Sequence, residues 1–300
     1  MLKRIRPYLS VGLLVVVLVI AAIYLSHHVY LLTDLSHTPL LIGISLILLY
    51  VLLLIVLTFK FSITLKICSL RLPNQENIKL NANTLLINFF IPGQGGPIYN
   101  GVYLKSRHKL KVKHFISSML IYYIIYALLS VGCLLVSSRP WWQTILAVLT
   151  VGLVSLWLSR RYMKKSHINK QSLNLHVASL SWLTLATVLQ IVVQTVIYAI
   201  ELRSVNKTIS LSQIITYTGA ANLAMFVALT PGAIGIRESF LLFTEKLNHI
   251  SSNNILVASL LDRSVYLVFL GIIGLITLIF QLYKRISTKS TNPVIKAAAK

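Results

Sequence analysis

Six runs of this sequence are apolar over about 20 residues, the length a helix needs to cross the hydrocarbon of a bilayer. They cover roughly 8 to 26, 39 to 59, 114 to 137, 141 to 158, 174 to 200 and 255 to 283. No water satisfies an exposed peptide group at that depth, so such a chain folds as helices that close their own hydrogen bonds. Composition agrees: 56% of residues are hydrophobic, 11% are charged and mean hydropathy is +0.80, more apolar surface than one soluble core can hide. The expectation is one all-α polytopic membrane domain over residues 1–300. Lys3, Arg4 and Arg6 precede the first run as in a signal peptide, but that run is long and no small-x-small cleavage pattern follows, so it reads as a retained anchor.

Two further apolar stretches resist the same treatment. Residues 84–103 contain Pro92, Gly93, Gly95, Gly96 and Pro97, and residues 211–245 contain Pro231, Gly232 and Gly235. Proline inside a helix removes a hydrogen bond and clashes with the preceding turn, at a cost of about 3 kcal/mol, and each glycine adds about 1 kcal/mol. Neither stretch reads as a straight span.

Charge decides what they are instead. The formal net charge is +22, which in a soluble protein would suggest nucleic acid, but the basic residues fall between the apolar runs, so no nucleic-acid partner is expected. Lys and Arg concentrate on the cytoplasmic side of membrane proteins. Here they concentrate in Lys3–Arg6, Lys60–Lys79, Lys105–Lys113, Arg160–Lys170 and Lys284–Lys300. Strongly basic segments flank 84–103 and weakly basic ones flank 211–245, so the first enters and leaves from the cytoplasm and the second from outside. The expected topology is six transmembrane helices plus two oppositely oriented re-entrant helical hairpins. Both termini are then cytoplasmic, in the plasma (inner) membrane of a cell, with 284–300 as a basic cytoplasmic tail.

The two breaks also align. Superimposing Pro92-Gly93 on Pro231-Gly232 matches Gly96 with Gly235, and Phe90-Ile91 answers Leu229-Thr230. With opposite entry sides this is the pattern of an inverted repeat, a first half over about 39–137 and a second over about 174–283. Folds of that kind place their ligand near the midplane, where broken helices from both halves converge.

The residues expected to meet a ligand lie in the second half. Pro231, Gly232 and Gly235 form the break, and Arg237 and Glu238 open the half-helix after it. A helix start offers unpaired amide protons and a partial positive charge, and a guanidinium adds forked hydrogen bonds suited to phosphate. The plainer alternative is that Arg237 and Glu238 only pair with other buried charges. Asp262 and Arg263 stand inside the last run, in "ASLLDRSVYLVF", where leaving them unpaired would cost several kcal/mol. A crossed network, Glu238 to Arg263 and Asp262 to Arg237, accounts for all four. Either it opens when an anionic ligand competes for the arginines, or it is a permanent clamp.

Other polar residues read as structural. Gln190, Gln194, Tyr122, Tyr123 and Tyr126 suggest helix packing and interface anchoring rather than ligand contacts. His27, His28 and His37 show no metal-ligand spacing, and Cys68 with Cys133 offers no disulfide framework. Within the apolar segments Glu238 and Asp262 are the only carboxylates found, each beside an arginine. No nucleophile or nucleotide-binding pattern appears, so catalytic residues, a metal, a cofactor and enzyme activity are not expected.

"TPGAIGIRES" at 230–239, followed by "LLDRSVYLVFLGIIGL" at 260–275, resembles the lysylphosphatidylglycerol synthase transmembrane, or flippase-like, family. The resemblance covers roughly residues 8 to 283 and rests on Pro231, Gly232, Gly235, Arg237, Glu238 and Arg263. Ala233 stands where many members have glycine, and Asn100 and Tyr122-Tyr123 stand where many place charged residues in the first half. What the resemblance implies is a stand-alone member, without the synthase domain, that binds and translocates a phospholipid or lipid-linked headgroup, its partners being membrane lipids with an anionic headgroup. The alternative is a non-transporting accessory protein that presents a lipid substrate to a glycosyltransferase or other envelope enzyme.

Overall fold

The computed structural model describes residues 39–91, 95–136, 177–227, 236–243, 245 and 250–290. Among these the chain is helical with no strand. Helix α1 is Leu40–Ile67, α2 Asn74–Phe90, α3 Gly95–His108 and α4 Val112–Leu135; α5 is Val177–Val205, α6 Leu211–Ala224, α7 Ile236–Phe243 and α8 Ser252–Ser290. A short 3-10 turn, Met225–Val227, extends α6. Four helices are long and apolar enough to cross a membrane: Leu40–Ile67, Val112–Leu135, Ala178–Val205 and Ser252–Phe280. They coincide with four of the six expected runs, and the other two, 8–26 and 141–158, lie outside the described residues. Less than half of each span is buried within the chain, and the outward faces of α1, α5 and α8 carry exposed Leu48, Ile55, Leu185, Val192, Ile276 and Phe280. Apolar side chains left outward on long helices need lipid, not water. This is a multi-pass membrane protein.

Local chemistry sets the helix ends. Helices α1 and α2 each begin after a proline, Pro39 and Pro73, whose fixed φ suits a helix start. Helix α6 opens on a capping box in which Gln213 donates its amide to the Ser210 side chain and accepts from the Ser210 backbone. Helix α1 stops where Ser69 takes a left-handed φ of 56°, letting the Leu70 N–H bond the Leu65 carbonyl at 3.0 Å.

Two expected boundaries move. Helix α1 runs on past the expected end at 59 to Ile67, so Lys60 is buried inside a span rather than lying in a basic loop. The first hairpin begins at Asn74 instead of 84, because the polar residues at its start are paired rather than solvated. Asn77 donates to the Thr58 carbonyl at 3.1 Å, Asn81 donates to the Asn77 side chain at 2.9 Å, and Thr84 donates to Asn100 at 2.9 Å. At the mouth of this hairpin Glu76 accepts from Tyr103 at 2.6 Å and contacts His108 at 2.8 Å. Partial burial would raise the Glu76 carboxyl, but the hydrogen bonds from Tyr103 and His108 outweigh it and hold it below the ordinary carboxylate range.

Helices α2 and α3 pack on each other as one hairpin and α6 with α7 as another. Helix α1 packs most extensively on α5, and α4 on α6. Exchanging α1, α2, α3 and α4 with α5, α6, α7 and α8 maps these contacts onto one another: α4 on α6 answers α8 on α2, and α3 on α4 answers α7 on α8. Helices α1 and α5 are antiparallel. Ile63 and Ile67 cluster with Leu183 and Ala186, Lys60 meets Gln190, and Tyr50 and Leu54 share a core with Val193 and Ile197.

Helix α6 approaches α4 at Gly219, where an added Cβ would overlap the backbone of Ser130 and Leu134. Gly43 on α1 has nothing within 4 Å of that position. Gly219→Ala is therefore expected to destabilise the detergent-solubilised protein by about 1–3 kcal/mol. Gly43→Ala should stabilise it slightly, through helix propensity worth about 0.5–1 kcal/mol. Thermal melts of both variants decide the matter, and equal shifts would contradict this packing.

The Glu76 contacts predict a pH dependence. A depressed carboxyl contributes stability above its unfolded value and loses it as pH falls through the folded value. Acidification below about pH 5 should lower the melting temperature of wild type more than that of Glu76→Gln.

Candidate functional site

The second hairpin and the last span meet through charge. Arg237, in the first turn of α7, pairs with Asp262 on α8, and Arg263 pairs with Glu238, with Nε 2.7 Å from Oε1. This is the crossed arrangement expected from the sequence. Asp262, Arg237 and Glu238 have further partners: Tyr50 of α1 donates to Asp262, Arg237 donates to the Tyr198 hydroxyl at 3.3 Å, and Ser259 donates to Glu238 at 3.2 Å. Arg237, Asp262 and Arg263 are each more than nine-tenths buried. Buried guanidinium and carboxylate groups hold together this way because each would otherwise face its desolvation cost alone.

Pro231, Gly232 and Gly235 fall in 228–235, outside the described residues, so only the helices on either side of the expected break, α6 and α7, are in view. His27, His28 and His37 lie outside as well.

The ion pairs border a central cavity of about 280 Å³, close to the lower end of small-molecule sites. Arg237, Asp262 and Arg263 line it and Glu238 does not. The first hairpin contributes Asn81, Thr84, Asn88 and Asn100, so both hairpins reach the same space. Asn88 also closes its own hairpin, accepting the Gly96 N–H at 2.8 Å. A Cβ on Gly96 would strike Asn88 and Thr84, so glycine is required for that close approach.

Two sequence readings need correction and one is extended. Tyr122, Tyr123, Tyr126, Gln190 and Gln194, read as packing residues, also line the cavity, with Tyr126 donating to Gln194 across helices at 3.3 Å. Lys60, read as a loop charge, lines it too, donating to Gln190 Oε1 at 2.9 Å with its ammonium 3.6 Å from the Tyr122 ring centroid. Glu201 of α5, just past the expected span end at 200, is fully buried and its carboxylate approaches Asp262, so Glu238 and Asp262 are not the only carboxylates in the apolar interior. Tyr50 and Tyr198 complete the site and were not singled out. A tyrosine in an apolar run carries no signal of whether its hydroxyl meets an ion pair or the membrane interface.

Removing one partner of a buried pair leaves the other uncompensated. Asp262→Asn is expected to destabilise the protein by about 3–5 kcal/mol, and the double variant Arg237→Gln, Asp262→Asn by clearly less than the sum of the two singles. A double-mutant cycle of unfolding in detergent measures the coupling; additive effects would mean that the contact stores none.

No curated protein matches the chain. The family model for the lysylphosphatidylglycerol synthase TM region matches residues 9–274, which takes in both hairpins, all four ion-pair residues and every cavity-lining side chain named above. The protein belongs to that family, and is a membrane protein of a lipid-related kind.

Proposed function

We propose that this protein binds an anionic lipid headgroup in the central cavity and carries it across the bilayer, without catalysing a reaction. One observation supports the reading above others. A cavity bordered by two ion pairs receives polar side chains from both hairpins of a chain that belongs to a lipid-related family.

The chemistry follows from the cost of the alternative. An unpaired headgroup charge in hydrocarbon faces a Born penalty of tens of kcal/mol, so a path across needs groups that replace its hydration. Arg237 and Arg263 present guanidinium groups suited to two-pronged phosphate bonds, each held meanwhile by a carboxylate. A phosphate entering the cavity exchanges with Asp262 at Arg237, or with Glu238 at Arg263; the charge count at each arginine stays matched, and the displaced carboxylate keeps its hydroxyl donor, Tyr50 for Asp262 and Ser259 for Glu238. That exchange frees α7 from α8, so ligand binding and hairpin movement become one event.

The finer topology belongs to the same proposal: six spans, two re-entrant hairpins entering from opposite faces, both termini in the cytoplasm and residence in the plasma membrane. The exchangeable contact pattern and the antiparallel α1 and α5 support an inverted repeat.

The test is lipid movement in proteoliposomes, using fluorescent phosphatidylglycerol and phosphatidylcholine and a membrane-impermeant quencher. Wild type should accelerate movement of the anionic probe more than the zwitterionic one. Arg237→Ala should lose at least tenfold of that rate, and the charge-neutral Arg237→Gln, Asp262→Asn variant, which leaves no lone buried charge, should lose it as well. Unchanged movement in both variants would remove the arginine from the mechanism. No movement by wild type, with a stoichiometric envelope enzyme co-purifying, would replace transport by presentation of a lipid to that enzyme.

A further inference from the structure

Among the described residues lining the cavity Lys60 is the remaining cation, and its environment differs from that of the arginines. It is 7% exposed on α1, within a core formed by Phe61 and Leu65 on one side and Ile63 and Tyr122 on another. Its ammonium has three donors. Gln190 Oε1 takes one at 2.9 Å and the face of Tyr122 takes the charge at 3.6 Å. Among the described residues the ion pairs are those of Glu76, Asp262 and Glu238, and none includes Lys60. Arg237 and Arg263 therefore reach the cavity already matched by carboxylates, whereas Lys60 reaches it matched only by dipoles and a ring.

Its position is separate from theirs. Lys60 and Tyr50, which holds Asp262, are ten residues apart on one helix, about 15 Å along the axis at 1.5 Å per residue. The antiparallel partner repeats the spacing: Gln190 at Lys60 and Tyr198 at Arg237 are eight residues apart on α5, about 12 Å. The two places are thus two to three helical turns apart along the scaffold. Lys60 lies toward the end of α1 that carries Lys66 and continues to Arg71 in the following loop.

We propose that Lys60, with Gln190 and Tyr122, forms a second phosphate-binding point in the cavity, one an anionic headgroup occupies before or after the arginine pairs. This rests on the reading of the cavity as a headgroup site. The ligand chemistry is a phosphate mono- or diester: Lys60 supplies the charge, the amide nitrogens of Gln190 and of cavity-lining Asn88 supply hydrogen bonds, and Tyr122 with Tyr126, stacked at 5.7 Å, supplies a flat wall for the glycerol or sugar attached to the phosphate. A lipid headgroup and free phosphate share that chemistry.

Calorimetric titration of the full chain in a non-ionic detergent separates the two sources and tests the residue. The probes are dihexanoyl phosphatidylglycerol, dihexanoyl phosphatidylcholine and inorganic phosphate. Wild type should bind the anionic lipid probe best. Lys60→Met should weaken it about tenfold or more, the expected loss of a hydrogen bond to a charged group, and Lys60→Arg should stay within about threefold of wild type. Lys60→Gln keeps the length and polarity of the side chain and reports the same loss if the methionine variant folds poorly. Unchanged affinity in folded Lys60→Met or Lys60→Gln, with wild type binding, would overturn the Lys60 point and leave the arginine site standing. Inorganic phosphate binding as tightly as the lipid probe would keep the anion point but overturn its assignment to a headgroup. Binding of no probe by wild type would overturn the headgroup reading and this inference with it.

Discussion

Everything at the centre of this molecule is organised by the cost of placing charge in hydrocarbon. A lone guanidinium or carboxylate at that depth loses its hydration and gets nothing back, so each must arrive with a partner fixed in place. The two pairs, Arg237 with Asp262 and Arg263 with Glu238, meet that demand across the junction of a half-helix with a full span. Because adjacent residues on α7 pair with adjacent residues on α8, the register between these helices is fixed by charge as much as by packing. Tyr50 and Tyr198 then tie the same junction to α1 and α5, so one desolvation problem, solved once, positions four helices.

The scaffold around this junction is repeated while its chemistry is not. Contacts of the first four helices answer those of the last four, yet the second hairpin brings a buried arginine and the first brings Asn81, Thr84, Asn88 and Asn100. Amides and hydroxyls donate and accept without net charge, so the first hairpin can border the cavity with no counter-ion. That is also why α2 tolerates so polar a sequence: Asn77 and Asn81 are buried but bonded to neighbours, and a satisfied polar group costs little.

Much of this was legible in the sequence, for a reason that also marks where legibility ends. Apolar run length and proline and glycine breaks are properties of the chain itself; the first located the four described spans, and the second fall where α2 gives way to α3 and α6 to α7. The crossed ion pairs were legible because opposite charges in two apolar segments have few other places to go. Lys60, Glu201 and the tyrosines were not. Lys60 stands at the edge of an apolar run, where a lysine that snorkels to the interface and one that is buried look the same. What distinguishes them is that "FSITLKI" continues in helical form beyond it and that Gln190 and Tyr122 come from other helices to meet it. Glu201 was hidden in the same way, one residue beyond an expected boundary and close to Arg203 and Lys207 in a weakly basic segment. Whether a terminal charge is buried depends on where a neighbouring helix ends, which no single segment records.

That dependence shapes what the cavity can do. A charge matched by a carboxylate on another helix makes a joint, since anything that takes its place also loosens the helices it held. A charge matched by an amide and a ring makes a seat, since an anion can sit there without displacing a structural partner. Arg237 and Arg263 are of the first kind and Lys60 of the second. A cavity with both, separated by two to three helical turns, can hold an anion at one place without moving α7 and must disturb the contact between α7 and α8 to hold it at the other. The difference in cost between those two states is set by how nearly a phosphate reproduces the bonds of Asp262, and it is this match, more than the strength of either site, that would govern passage between them.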